Sequence, residues 1–429
     1  MLNEYPMSDD LADPPQRPPA KFRIFLYFCN YKLTPRFLLI ASLKKLFTNP
    51  KFVLILWFGL SFIAAVKELL IHQINNYKIY KYTFYNLIHQ QNLYLPNPQF
   101  FEDKNHYGVI FAMIIAPFYM LPDFIAVMLW SLFNSFMLYK AITMLPIDHK
   151  KQIAILLICA NELVTASLSV QVNPFVTSLI VLSYVFIKDK KDFWAAMVIA
   201  LGTFIKLYGI VGLAFFFFSQ NKLKFTLSTM FWFVVMFCLP MVFSSPHFVV
   251  QCYQDWYHSL SDKDIENSGS FMQDVSVKGM VRRIFHQPDL SNIWFLVPGV
   301  VLFFSSYLKI KNYKYTQFQL LILASTLIFP IIFSSSSESP TYIIAFVGVA
   351  IWYVNAPRPV SGFDMFLLVF ALVLTSFSPT DLFPHYLSNH FTKPYALKAL
   401  PCFVIWLKIV YETLTRKFDQ EPSTSLAQS

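Results

Sequence analysis

Apolar runs of membrane-crossing length recur along the whole of this chain, and its charged residues are confined to the gaps between them. A bilayer core takes about 20 apolar residues per helix. Hydrocarbon offers no water to the backbone, so only helices or closed barrels can cross it. The runs here are continuous and lack the period-two alternation of barrel strands. The expected fold is therefore all-α, a polytopic transmembrane helical bundle of about 11 to 13 spans. Composition agrees: 56% of the 429 residues are hydrophobic and 14% charged, with mean hydropathy +0.49. Soluble domains carry roughly a quarter charged residues.

The net charge of +10 invites a nucleic-acid reading. The Lys and Arg are instead scattered through short gaps such as KDKKD at 188–192, as the positive-inside rule places them. No nucleic-acid partner is expected; the basic residues read as topology signals and attraction to anionic headgroups. Five cysteines show no metal-ligand spacing, and Cys159, Cys238 and Cys402 lie in apolar runs. No metal and no cofactor is expected. No N-x-[ST] sequon occurs, which favours a bacterial inner membrane over the secretory pathway. Residues 1–20 are acidic and Pro-rich with no cleavage site, so a disordered tail is expected there in place of a cleaved signal.

The basic, aromatic stretch Lys21–Phe47 suits the cytoplasmic interface. A first span is expected from about Phe52 to His72, with Lys44, Lys45 and Lys51 holding its start inside. Further runs cover roughly 108–121, 124–145, 153–168, 174–187, 193–219, 225–243, 293–309, 317–334, 341–356, 363–377 and 396–414. Alternation then puts 73–107, QVNP (171–174), 244–292, SSSSESP (334–340) and 378–391 outside, provided that 193–219 breaks near Lys206. One conflict stands: counting forward leaves DHKK (148–151) outside, unless an early run is re-entrant.

The segment from Gln73 to Tyr107 is long for a loop between spans, and long loops are usually functional. It sets Glu102, Asp103 and His106 at the membrane surface, where an enzyme would meet a lipid-carried polar substrate. A carboxylate there suits a general base that deprotonates an acceptor hydroxyl. Asp103 is the first candidate and Glu102 its understudy, against the plain reading of solvated loop charges. Lys206 interrupts the apolar stretch ALGTFIKLYGIVGLAFFFF. A cation at such depth costs about 2.5–3.5 kcal/mol on insertion scales, which makes it a functional candidate, here for a lipid phosphate. The plain alternatives are snorkelling or a structural pair with Glu162. Gln171 and Asn173 stand at a helix start, Asp255, Trp256 and His258 lie in YQDWYHSL, and Glu338 lies in SESP. Aromatic faces with amides and carboxylates suit a sugar, and the pair Arg282–Arg283 suits phosphate. Each alone is more often an interface belt or a loop charge.

Taken in order, INNYKIYK, NLYLP, HYGVIFAMIIAPFYMLP, VQVNP and FIKLYG resemble glycosyltransferase family 87, membrane enzymes of the GT-C type that use polyprenyl-phosphate sugars. The likeness runs from about Phe52 to Tyr411 and is closest to the Bacteroidetes-type branch. It departs where much of the family has an Asp before the aromatic-rich helix, since Asn75–Asn76 stands here. It departs again at Val170–Gln171, for the family's Gly-Gln, and at Gly209, for a Pro. The resemblance implies transfer of a hexose, often mannose, from a polyprenyl monophosphate to a lipid or glycan acceptor, with inversion. It also implies an extracytoplasmic site in a multi-pass inner (plasma) membrane protein. By domain, 1–50 would be a cytoplasmic tail and interfacial segment, 51–415 the GT-C-like catalytic domain, and 416–429 a second cytoplasmic tail. Asp103, Glu102 and His106 would carry catalysis. Lys206, Tyr208, Arg282 and Arg283 would hold the donor phosphate. Asn76, Tyr107, Gln171, Asn173, Asp255, Trp256 and Glu338 would contact sugar or acceptor. The competing reading is a transporter or flippase for a lipid-linked saccharide, which would need polar residues deep between helices. A non-catalytic scaffold is the third.

Overall fold

A computed structural model describes residues 45–267 and 273–419. The expected tail and interfacial segment over 1–50 lies almost wholly outside the described residues, as does most of the second tail. The compact body begins at Val53. Among the described residues there are helices and no strand. The bundle is built from α1 (Pro50–Leu70), α2 (Asn75–Ile88), α3 (Phe111–Tyr119), α4 (Asp123–Thr143), α5 (His149–Leu168), α6 (Asn173–Lys188) and α7 (Asp192–Ile205). A 3-10 helix, Leu207–Phe218, leads to α8 (Lys222–Cys238), α9 (Pro246–Asn267), α10 (Val277–Ile284) and α11 (Ile293–Ser305). Then come α12 (Thr316–Ile332), α13 (Tyr342–Val354), α14 (Gly362–Phe370), α15 (His385–Leu387) and α16 (Ala399–Thr415).

The apolar runs became these helices nearly one for one. Four segments are long and apolar enough to cross a membrane: Pro50–Leu70, Asp123–Thr143, His149–Leu168 and Lys222–Val242. Most of the others are shorter; some of these are packed inside, while α11 and α14 keep exposed apolar faces. Every residue of α6 from Asn173 to Val185 is buried, as is every residue of α13 from Tyr342 to Trp352. By contrast α8 buries only Phe225, Ser228 and Met236, leaving Leu223, Leu227, Met230 and Val234 exposed, an apolar face suited to lipid. Hydroxyls stitch helices together where lipid offers no hydrophobic drive between them. Ser135 Oγ donates to Ser61 Oγ at 2.6 Å, Ser61 Oγ lies 2.9 Å from Ser167 Oγ, and the Trp406 indole donates to Ser325 Oγ at 2.9 Å.

Three sequence expectations need correction. The 73–107 segment is not a simple loop. Tyr77, Tyr80, Phe84 and Leu87 recur at helical spacing and are buried, so α2 forms as an amphipathic helix, with Lys81 tied to Asp123 at 2.6 Å. Likewise 244–292 contains α9 and α10. The 108–121 run yields only the nine-residue α3. At 1.5 Å per residue that is about 13 Å, far short of a ~30 Å hydrocarbon core. With α3 not crossing, α4 returns the chain to the side on which α1 starts, and His149–Lys151 no longer breaks the alternation.

The break near Lys206 is present. α7 stops at Ile205, Lys206 is extended (φ −151°, ψ 125°), and the 3-10 helix doubles back. Gly209 makes this possible, because a Cβ there would collide with the backbone of Gly202 and Thr203. That contact gives a reason for Gly where the family pattern has Pro. The Val170 departure also has a structural consequence: Val170 sits at φ 50°, a left-handed conformation that suits Gly and strains a β-branched residue. The hairpins gather Gln171, Lys206, the serine run and Ser378 at one end of the bundle, around two neighbouring cavities. Lys188, Gln220 and Lys314, from the basic gaps, line a separate pocket.

Candidate active site

The smaller of the two cavities, about 290 Å³, is where the sequence candidates converge. Asn76, Asp103, His106, Tyr107, Gln171, Lys206, Tyr208 and Glu338 all line it, joined by Lys104, Lys263 and Ser334–Ser336. They come from six stretches of chain that only the fold brings together.

The 103–108 loop is clamped on two sides. Gly108 N–H donates to Ile205 O at 3.1 Å, docking the loop on the α7 terminus, and a Cβ on Gly108 would collide with the Phe204 carbonyl. From α9, the Trp256 indole donates to His106 O at 2.9 Å, and Ser259 Oγ donates to Asn105 O at 3.1 Å. With its proton so used, Ser259 Oγ accepts from His106 Nδ1 at 2.8 Å, which leaves the opposite ring nitrogen as the acceptor. Burial, reinforced by Lys263, lowers the His106 pKa to about 3, so the ring is neutral at physiological pH. Tyr107 packs on Phe111 and Tyr80, its hydroxyl 3.1 Å from that of Tyr80.

Lys206 reaches back from the helix break. Its Nζ donates to Asn173 Oδ1 at 2.9 Å and lies over the rings of Tyr208 (5.1 Å) and Tyr107 (5.8 Å). Asn173, fully buried, in turn donates to Gln171 Oε1 and to Pro340 O, and Gln171 donates to Glu338 Oε2 at 3.2 Å. Lys263 closes the chain with a 3.1 Å ion pair to Glu338 Oε1. Burial opposes ionisation of Glu338. The charges of Lys263 and Lys206, with the Lys263 and Gln171 hydrogen bonds, outweigh it and hold the carboxyl below its ordinary value. Both Glu338 oxygens are thus engaged. Asp103 differs: it is exposed at the rim, with Oδ1 accepting from Lys104 N–H at 2.7 Å. Tyr208 donates to Ser334 Oγ at 3.1 Å.

Other candidates lie outside this cavity. Glu102 is exposed, and its N–H donates to Asn75 Oδ1. Asp255 accepts from Asn92 (2.8 Å) and Gln251 (2.9 Å), and Trp256 serves the loop clamp described above. Arg282 pairs with the buried Asp274 at 3.4 Å, while Arg283 donates to the carbonyls of Gln273 and Lys393. Glu162 pairs with Lys398 at 3.0 Å and not with Lys206. Among the described residues no cluster of three His, Cys, Asp or Glu side chains could hold a metal ion.

Sequence reasoning missed Lys263 and the serines. A signal was present for the first: Trp256, Ser259 and Lys263 fall at i, i+3 and i+7, one face of a helix, once α9 is read as a helix and not as a loop.

The site is therefore a polar, carboxylate- and lysine-lined pocket at one end of an apolar bundle. No curated protein matches the chain. A profile of glycosyltransferase family 87 matches residues 105–335, which takes in His106, Tyr107, Gln171, Lys206, Tyr208, Lys263 and Ser334 and leaves Asn76, Asp103 and Glu338 outside. The chain belongs to glycosyltransferase family 87 and is a membrane glycosyltransferase.

Proposed function

We propose that this protein moves a hexose of the mannose kind from a polyprenyl-phosphate donor to a lipid or glycan acceptor, with inversion, on the extracytoplasmic face. The observation that carries this reading is Lys206, an ammonium delivered by a helix break into a polar cavity beside Lys263, Tyr208 and the serine hydroxyls. Two cations with hydroxyl donors form a phosphate cradle. A donor anchored by its lipid would bring that phosphate to the membrane surface. The Asp103 carboxylate and the Asn76 and Gln171 amides line the same cavity, a set that suits sugar hydroxyls. The outward orientation follows from the Lys-rich gaps, which the alternation puts at the end opposite the site.

Asp103 is the proposed base. Glu338 is already bound to Lys263 and Gln171, and a carboxyl held below its ordinary value accepts a proton poorly. His106, with its pKa near 3, is a weak base and acts as a hydrogen-bond partner to substrate. In the transfer Asp103 takes the proton of an acceptor hydroxyl while that oxygen bonds to the anomeric carbon. The bond from that carbon to the phosphate oxygen breaks, and the polyprenyl phosphate leaves with the electron pair, steadied by Lys206 and Lys263. Attack opposite the leaving group inverts the centre.

The test uses the protein in proteoliposomes supplied with radiolabelled polyprenyl-phosphate hexose and a lipid extract as acceptor source. A new labelled glycolipid or glycan is expected, and a nucleotide sugar should not replace the lipid donor. Label that crosses the bilayer without changing its chemical form would favour a flippase and overturn the reading.

A further inference from the structure

The larger cavity, about 520 Å³, shares Glu338 with the smaller one and has no role so far. The partition between them is thin. Asn76, which lines the smaller cavity, donates at 2.7 Å to the carbonyl of Ser169, which lines the larger. Three lysines line the larger cavity: Lys67 at the end of α1, Lys393, and Lys398 before α16. Lys398 is buried and committed to Glu162 and, at 3.1 Å, to Ser339 Oγ. Lys67 has only a loose 4.0 Å approach to Glu68, and Lys393 only a 3.3 Å hydrogen bond to neutral Asn389. Behind the wall, Arg283 donates to the carbonyls of Gln273 and Lys393, both lining residues, and so ties the two sides of the cavity together. Of the two lining carboxylates, Glu338 has both oxygens engaged, by Lys263 and Gln171, and Asp381 is almost fully exposed. Ser339 Oγ accepts from Lys398 and so keeps its own proton to donate into the cavity.

We propose that this second cavity holds the acceptor, and that the acceptor carries an anionic oxyacid group, a phosphate or carboxylate, on a lipid anchor. This rests on the reading of the smaller cavity as the donor site. The cationic side chains and the Ser339 hydroxyl bind the anion, and the reacting hydroxyl extends past Glu338 toward Asp103 and the donor sugar.

The test uses the full chain in phosphatidylcholine nanodiscs with a photoreactive long-chain alkyl phosphate as probe and the matching alcohol as control. Crosslinked peptides are mapped by mass spectrometry. The alkyl phosphate should label residues 378–396 in the parent and equally in Lys206→Met. Labelling should fall roughly tenfold or more in a Lys67→Gln/Lys393→Gln variant, the scale of one lost charge-assisted contact, and the alcohol should label weakly. Both lysines are exposed, so folding should survive, and an unchanged melting temperature checks this. Equal labelling by the alcohol, or no response to the lysine changes, would overturn the proposal. Competition by inorganic phosphate as strong as by unlabelled alkyl phosphate would mark a free-anion site and overturn the lipid-borne acceptor. Labelling near Lys206 that persists in Lys206→Met counts against the donor reading and leaves the second cavity's anion binding standing.

Discussion

Removing the Lys206 charge should separate donor binding from folding. In Lys206→Met the stem and much of the packing on Tyr107 and Tyr208 remain, while Nζ and its 2.9 Å bond to Asn173 are lost. A hydrogen bond to a charged group is worth about 1.5–3 kcal/mol net, which corresponds to roughly 10- to 150-fold in Kd. Folding feels two opposed effects. The buried Asn173 oxygen loses its donor, at a cost of about 1–3 kcal/mol, while the chain no longer buries an ammonium. Net stability should therefore change less than donor affinity. Equilibrium binding of a polyprenyl-phosphate analogue to the solubilised protein, read beside the melting temperature, checks both. A variant that binds the analogue as the parent does, whatever its stability, refutes the phosphate role.

Three further outcomes follow from the same geometry. His106 is held down to about 3, so the stability gained by burying its neutral ring is present above the ordinary His value of about 6.5 and lost as pH falls toward 3. Ring-carbon NMR should find it neutral at pH 5, and a transition near 6.5 would contradict the assigned burial. Gly209→Ala should destabilise strongly and reduce activity, because the added methyl meets the Gly202–Thr203 backbone with no flexible side chain to yield; a thermal melt like the parent's would dismiss the close approach. Lys398→Met leaves Glu162 buried and unpaired, at about 3–5 kcal/mol, and Glu162→Leu added to it should restore much of that loss in a denaturation series.

Much of the bundle was legible in sequence because hydrocarbon leaves the backbone few choices. The break at Lys206 could be read for the same reason, since an ammonium inside an apolar run must find a polar cavity or an exit. The structure explains what could not be read. α2 hid inside an apparent loop because its buried face is made of Tyr77, Tyr80, Phe84 and Leu87 among Asn and Lys, which depress hydropathy without weakening amphipathicity. Glu162 finds Lys398, 236 residues away, a partner that only tertiary packing brings within reach. The Arg282–Arg283 pair looked like a phosphate clamp, but Asp274, eight residues before Arg282, takes its charge, and no local pattern signals that. Residue types at the site were visible; which of them share a cavity depended on how six segments meet.

The central claim is that transfer takes place in the smaller cavity with Asp103 as base. Loss of a general base costs about 10²–10⁴ in rate. Asp103 is exposed on a loop, so Asp103→Asn should fold and bind donor as the parent does. The direct measurement is the initial rate of hexose transfer from polyprenyl phosphate by Asp103→Asn, beside Glu102→Gln, whose residue lies outside the cavity. The account predicts a rate lower by about two orders of magnitude or more for the first and a near-parental rate for the second. A fully active Asp103→Asn protein would contradict it.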